Sequence, residues 1–381
     1  MKTLIAATLA LVAVVARSIS GFEAEVQAPV APQLLSETGL YAGAGTPQVD
    51  SRNRPFSPQY PLWSDGAAKR RWIRLPDGAA IDVSNVARWD FPVGTKFWKE
   101  FSFAGRKVET RLLWRVSRER WVFASYAWNE TQTDAVLAPE SGIPNVVEVA
   151  PGKRHSIPSV ADCQSCHVST RTEILGFDAL QLSDDRDPNA LHAEALAPGM
   201  VSLKTLIHEG LMSPRRTELV ASPPRIPADS PLTRTALGYL STNCGSCHNR
   251  ESSIASLGLI LKHTVADSAP ASARKASYGE VSPERPDGRE GECTPALATT
   301  AGKRGHWVVP EFQEHSRIIN PGHPESSALI KRVKSRRPSS QMPPVGTVVA
   351  DRAAVDLLTS WVQSNPDAWT AMVARCAGEG S

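Results

Sequence analysis

From Phe56 to about Pro151 the chain alternates apolar and polar residues along four runs: Arg71-Trp-Ile-Arg-Leu, Lys96-Phe-Trp-Lys-Glu-Phe-Ser-Phe, Glu109-Thr-Arg-Leu-Leu-Trp-Arg-Val and Arg120-Trp-Val-Phe-Ala-Ser-Tyr-Ala-Trp. Successive side chains of a strand point to opposite faces, so a period of two predicts half-buried β-strands. Turn signals separate them at Pro76-Asp77-Gly78, Pro92-Val93-Gly94 and Ala104-Gly105-Arg106. Short strands at this spacing predict an antiparallel β-sandwich or jelly-roll-like domain over 56–151. Seven of the ten Trp fall here, at 63, 72, 89, 98, 114, 121 and 128. Those inside the alternating strands are assigned to core and sheet-face packing, each burying on the order of 150–250 Å². The alternative is an aromatic platform for a sugar or a docking partner.

Beyond this stretch the period becomes helical. Val201–Leu211 carries one apolar stripe, and Pro231–Thr242 places Leu232, Ala236, Leu237 and Leu240 on one face. A further helix begins near Pro324, suited to a first turn, and runs through Leu329 and Val333. The last, Asp351–Gln363, presents Val355, Leu358 and Val362 or Trp361. Prolines 214, 223, 224, 227 and 231 mark a boundary near 230, while 22–55 is aperiodic and reads as a linker or draped arm. The predicted fold class is multidomain α+β. Its parts are the β domain 56–151, a first segment 152–230, and an α-helical unit 231–381 interrupted by a surface excursion at 265–310.

The chain opens with Lys2 and the uncharged run Leu4–Val15. That run is shorter than the roughly 20 residues a bilayer span needs, but suits the apolar core of a signal peptide. Residues 1–21 are assigned to it, with cleavage between Ala16 and Ala28. A periplasmic or otherwise exported bacterial protein with no integral membrane span after cleavage is expected. Net charge is +3 without any long Lys/Arg tract, which argues against nucleic acid as a partner. The short pairs Arg70-Arg71 and Arg336-Arg337 read as solvated surface.

Cys-x-x-Cys-His occurs twice, at Cys163–His167 and Cys244–His248. Six Cys and nine His placed by chance would give such a pattern on the order of 0.002 times. The motif reads as c-type haem attachment: each thiol adds across one haem vinyl group and the histidine ligates the iron. Residues three and four apart share a helical face, which lets one turn present all three groups to a porphyrin. A zinc ribbon wants its Cys pairs roughly 15–20 residues apart, whereas residues 167–243 separate these two. A thioredoxin-like motif has no use for the histidine. Two covalently bound haem c groups are therefore expected, with Cys163, Cys166, His167, Cys244, Cys247 and His248 as their anchors and proximal ligands. Four propionates would bring the loaded protein closer to neutral.

Met342, in Gln-Met-Pro-Pro-Val-Gly, is the candidate distal ligand of the second iron; two prolines stiffen its loop, and a thioether ligand raises the potential. The alternative is a methionine filling a core gap. For the first iron His155, Met200, His208 and Met212 all stand as candidates, and His192, His263, His306, His315 and His323 default to solvated loops. Cys293 and Cys376 remain, an even number that in an exported protein suggests one disulfide, with two free thiols as the alternative.

Several stretches resemble a family of exported bacterial dihaem c-type cytochromes with a Trp-rich N-terminal β domain. They are Tyr60-Pro-Leu-Trp-Ser-Asp-Gly, Trp89-Asp-Phe-Pro-Val-Gly-Thr-Lys-Phe-Trp, Trp128-Asn-Glu, Ile157-Pro-Ser ahead of Cys163, Tyr239-Leu-Ser-Thr-Asn-Cys-Gly-Ser-Cys-His248, Asn320-Pro-Gly-His-Pro-Glu and Met342-Pro-Pro-Val-Gly. The tail is also similar to cytochrome modules of quinoprotein sugar dehydrogenases. The resemblance implies two haems, Met342 as a distal ligand, and electron transfer outside the cytoplasm with a periplasmic redox protein or dehydrogenase as partner. It implies no substrate. The excursion at 265–310 and the pair Cys293 and Cys376 depart from the family's pattern. Two other functions stay open: a peroxidase-like dihaem enzyme with one open iron, and a binding module whose β domain docks a sugar or protein and delivers electrons to it.

Overall fold

An antiparallel sheet organises the N-terminal half. In the computed structural model, which describes residues 29–43, 48–168, 174–265 and 293–377, the strands β1 (Arg54–Pro55), β2 (Ala68–Arg74), β5 (Lys96–Phe103), β6 (Arg106–Arg115), β7 (Trp121–Trp128) and β8 (Ala135–Leu137) pair in the order β1-β2-β5-β6-β7-β8. Between β2 and β5 lies the hairpin β3 (Ile81–Asn85) and β4 (Arg88–Asp90); β9 (Ile143–Ala150) pairs with β10 (Lys153–Ile157). The four alternating runs become β2, β5, β6 and β7. The segments assigned to the signal peptide (1–21) and to most of the excursion (266–292) lie outside the described residues.

One face of the sheet is largely covered, with Arg70 left exposed on β2. Trp72, Trp98, Leu112 and Ala124 occupy one cross-strand row, and the arm lays Leu35, Leu40 and Tyr41 over it. Trp98 donates its indole N–H to Thr38 Oγ1 at 3.0 Å, and Tyr126 donates to the carbonyl of Pro32 at 2.9 Å, so both polar tips are satisfied. The part of the arm that carries Leu35, Leu40 and Tyr41 thus belongs to a core.

The opposite face changes character along its length. In its first row, Ile73–Phe97–Leu113–Phe123, the first three begin an apolar cluster with Phe56, Phe91 and Trp89. The middle segment closes this cluster with Phe177, Leu203, Leu206, Ile207 and Met212. That segment also pairs β11 (Met212–Ser213) in parallel with β3. The expected helix at 201–211 is shorter, α2 (Leu203–His208): Ser202 caps its start, and Gly210 takes the left-handed conformation (φ 71°) that turns the chain into β11.

The C-terminal core gathers α4 (Pro231–Asn243), α5 (Pro295–Thr300), α6 (Ala328–Lys334), α7 (Arg352–Gln363) and α8 (Pro366–Ala377) around Leu237, Leu240, Leu297, Ile330, Leu358, Trp361 and Trp369. α1 (Val160–His167) and α3 (Glu218–Ala221) complete the eight α-helices among the described residues. Pro231 sits in the first turn of α4, and Asp351 caps α7 by accepting from the Ala354 N–H. Besides the short α3, two helices lie where none is expected. α5 falls inside the presumed surface excursion, because Ala296 and Leu297 are buried against α8. α8 follows Pro366 and buries Trp369, whose indole donates to the Trp361 carbonyl at 3.1 Å.

Cys293 and Cys376 form a disulfide across 83 residues, joining the approach to α5 to the end of α8. Closing a loop of that length restricts the unfolded chain by roughly 4 kcal/mol on the chain-entropy model. Cys376→Ser should therefore lower stability by roughly 2–4 kcal/mol in urea unfolding, with a matching loss when the unmodified chain is reduced.

Helical and β parts meet at Tyr60-Pro-Leu-Trp-Ser-Asp-Gly66. Tyr60 packs so closely on α4 that a Cβ at Gly238 would lie 2.1 Å from its ring. The Trp63 N–H donates to Asn243 Oδ1 (2.8 Å), beside Cys244. Asp65 turns the chain with φ 52°, followed by Gly66 at 81°, and accepts from the N–H groups of Val348 and Val349 (2.8 and 3.1 Å). Among the described residues, no helix is long and apolar enough to cross a membrane.

Candidate cofactor-attachment site

α1 places the first motif. Its start is fixed by a reciprocal cap: Ser159 Oγ accepts from the Asp162 N–H, and Asp162 Oδ2 accepts from the Ser159 N–H, both at 3.0 Å. The helix buries none of its residues. Its cap and its contact with β7 hold it, leaving Cys163, Cys166 and His167 within reach of a large group. His167 lies against Phe123, ring centres 5.6 Å apart. Cys163 lines a cleft of about 390 Å³ with Phe123, Trp121, Pro158 and Glu140, within the size range of small-molecule sites.

The second motif follows directly from α4. The Cys247 and His248 N–H groups both return to the Cys244 carbonyl (3.1 and 2.9 Å), and Asn249 Nδ2 donates to the carbonyls of Gly245 and Ser246. This tight turn has no room at Gly245: a Cβ there would sit 2.3 Å from the Ser241 carbonyl oxygen and 2.7 Å from Lys262 Cα. Both obstacles are backbone. Gly245→Ala is expected to displace the motif, costing roughly 1–3 kcal/mol in thermal unfolding.

His248 is buried, and its Nδ1 has no hydrogen-bond partner. Burial, and secondarily the Arg332 guanidinium, pulls its pKa below the usual value, favouring the neutral imidazole that a metal ligand must be. A buried ring nitrogen without a partner costs free energy unless another group occupies the site. Two thiols and an imidazole with an unpaired Nδ1, on one turn, form a donor set that an iron porphyrin could use.

Far apart in sequence, the motifs meet in space. The thiols of Cys166 and Cys247 lie within hydrogen-bonding reach of each other; that contact pulls the Cys247 thiol down to about 6 and pushes the Cys166 thiol up. The motif spacing gave no sign of this apposition. It results from the Tyr60–Gly66 hub, which clamps α4 to the sheet that carries α1.

Met342 is half-buried in the loop after α6. Its N–H donates to the Arg332 carbonyl (3.0 Å), and its carbonyl accepts from Arg336 Nη1 (3.4 Å). Arg332 is also the residue whose charge acts on His248, so the methionine loop and the second motif share one neighbourhood.

The candidates for the first iron fare differently. His155 is buried with both ring nitrogens engaged, Nδ1 to Asp65 Oδ2 (2.9 Å) and Nε2 to Glu109 Oε1 (3.3 Å). Met212 is buried in the apolar cluster behind the sheet, and Met200 Sδ accepts from the Ala197 N–H at 3.4 Å. His208 is exposed at the end of α2. One default assignment is corrected: His263 is buried, its backbone N–H donating to Ser241 Oγ. His192 stays exposed on a turn, where its ring bonds Asp351 Oδ2 (2.8 Å) and lies 4.9 Å from that of Trp63.

Among the described residues, no three His, Cys, Asp or Glu side chains converge as a metal site. A haem needs no such cluster, because its porphyrin supplies four of the iron's ligands. No family model, curated protein or solved structure matches this chain.

Proposed function

We propose that the chain is an exported dihaem c-type cytochrome, of the family its motifs resemble, passing electrons between periplasmic redox partners such as a dehydrogenase and another cytochrome. The observation that carries this reading is the contact between Cys166 and Cys247, which sets two Cys-x-x-Cys-His attachment points side by side on one chain. Covalently bound there, each haem would supply a one-electron iron centre. His167 and His248 would be the proximal ligands and Met342 the distal ligand at the second site; the four motif cysteines would hold the rings. The unburied α1 leaves the first motif reachable, while the hub at Tyr60–Gly66 keeps the two motifs from drifting apart. The signal-like N-terminus and the disulfide support an oxidising compartment outside the cytosol. In this reading the helical units are haem c units and the sheet is their platform.

A second reading has its own support. His155 is committed to two carboxylates and Met212 to an apolar core, which favours a first iron without a protein ligand on its distal side, and hence a peroxidase-like enzyme. Electron paramagnetic resonance of the oxidised protein during a redox titration separates the two. Two low-spin signals that perturb each other, with no peroxide turnover, support the carrier. A high-spin signal assigned to the first motif, with rapid peroxide consumption, overturns it in favour of the enzyme.

A further inference from the structure

Three cations face one another across the sheet beneath the first motif. Arg71 on β2 is directly opposite Lys99 on β5, and Lys99 is directly opposite Arg111 on β6. Like charges in directly opposed positions are destabilising, the more so when removed from water. Arg71 is buried with its side chain 5% exposed, and Lys69 adds a fourth cation one row along. Two carboxylates offset part of this charge: Glu194 pairs with Arg71 Nη1 (3.0 Å) and Glu109 with Arg111 Nη2 (2.5 Å). The remainder is uncompensated. Arg71 Nη2 is buried without a hydrogen-bond partner, and among the described residues Lys99 forms no ion pair, its ammonium lying only over the Phe101 ring at 4.9 Å. Burial, then Arg71, Lys69 and Arg111, drives the Lys99 ammonium well below its usual range. An anion in contact with the row would reverse that.

We propose that the Arg71–Lys99–Arg111 row is a carboxylate-binding site, and that the carboxylates it takes are the propionates of the haem attached at Cys163 and Cys166. The assignment rests on the dihaem reading above. Arg111 lies within electrostatic reach of both Cys163 and Cys166, which puts one end of the row at the attachment point. Arg71 stands two strand spacings farther off, about 10 Å. In a haem c the carboxylate edge lies across the ring from the thioether edge, so a row extending away from the cysteines is suitably placed to receive it. Arginine suits this task because its planar fork matches a carboxylate, and Arg71 has the free fork arm.

The test uses the exported, haem-loaded chain and Lys99→Met, with Arg71→Gln as a second variant. Haem stoichiometry is measured first; two haems in each preparation isolate this proposal from the reading it rests on. Lys99→Met is then expected to shift the propionate bending bands in the resonance Raman spectrum and to lower the potential of one haem, leaving the other unchanged. Its melting temperature is expected to fall, since a partner is lost. Unchanged Raman bands with a raised melting temperature would overturn the proposal, because relief of bare repulsion has that signature. Should a variant fail to load, the unmodified protein is compared in H₂O and D₂O: propionate bands insensitive to exchange count against hydrogen-bonded propionates. Inorganic phosphate and citrate test the other source of anions. Stabilisation of the loaded wild type by either, lost in Lys99→Met, would assign the row to a free anion and overturn the propionate assignment.

Discussion

His155→Ala is expected to destabilise the chain by roughly 3–5 kcal/mol, the cost of leaving buried charges without their partner. The ring lies between Asp65 and Glu109, whose side chains are 1% and 0% exposed, and is itself 3% exposed. Burial alone would lower the pKa of the imidazole, but its hydrogen bonds to Asp65 and Glu109, with their charges, outweigh it and raise the value above 6.5. Glu109 moves the other way: burial would raise it, and Arg111 and His155 together bring it below its ordinary value. These shifts fix the sign of the pH dependence. A histidine raised on folding contributes stability that is complete below its unfolded value, about 6.5, and is lost as the pH climbs through the folded one. A glutamate lowered on folding contributes above about 4.3 and loses its contribution as the pH falls through the folded value. The network should therefore stabilise most between about pH 4.3 and 6.5. The difference between wild type and His155→Ala in urea unfolding should be largest there and shrink toward alkaline pH. A difference that grows with rising pH would mean that the ring is neutral in the native state. Because Asp65 also holds the N–H groups of Val348 and Val349, the same substitution should loosen the loop after Met342.

Met342→Ala should lower the potential of the second haem by on the order of 0.1 V, a fraction of the ≈ 0.8 V that axial ligands span, and leave the first haem unchanged. A thioether favours reduced iron, and its loss leaves the distal position empty or taken by water or a histidine, with a shift toward high spin. The loop is anchored at both ends of the residue, by Arg332 and Arg336, so truncating the side chain should spare the backbone. Unfolding midpoints close to wild type would support that. An unchanged spectrum and potential would remove Met342 from the site and return it to the role of a gap-filling core residue.

Much of the β half was legible because its periodicity is strong and local. Ile73, Phe97, Leu113 and Phe123 share one parity along their strands, and the turn signals fall where the strands end. Arg71, Lys99 and Arg111 share that parity, whereas charge alone reads Arg71 as half of a solvated Arg-Arg pair. Arg336 likewise turns inward, donating to the carbonyls of Val333 and Met342. Periodicity says which face a residue takes, and only the covering segment, which at Arg71 carries Glu194, decides whether that face is wet. The helices α5 and α8 were hidden for a related reason. Pro, Ser and Gly upstream of α5 mask a burial that depends on the distant Trp369 side of the core. His155 offered no signal at all: its partners come from residues 65 and 109, and only tertiary structure joins them. The attachment motifs stand at the other extreme, since their chemistry is contained in five consecutive residues. Their meeting at Cys166 and Cys247 was invisible, because it depends on how the hub at Tyr60–Gly66 docks α4 on the sheet.

The central claim is two haems bound through thioether bonds, and intact mass of the mature chain, taken with its reduced absorption spectrum, tests it most directly. Produced in a host that exports and attaches haem c, the protein should carry the mass of two haems, resist their extraction by acidic solvent, and show a sharp α-band on reduction. A chain of unmodified mass, with Cys163, Cys166, Cys244 and Cys247 all free to alkylate, would contradict the account.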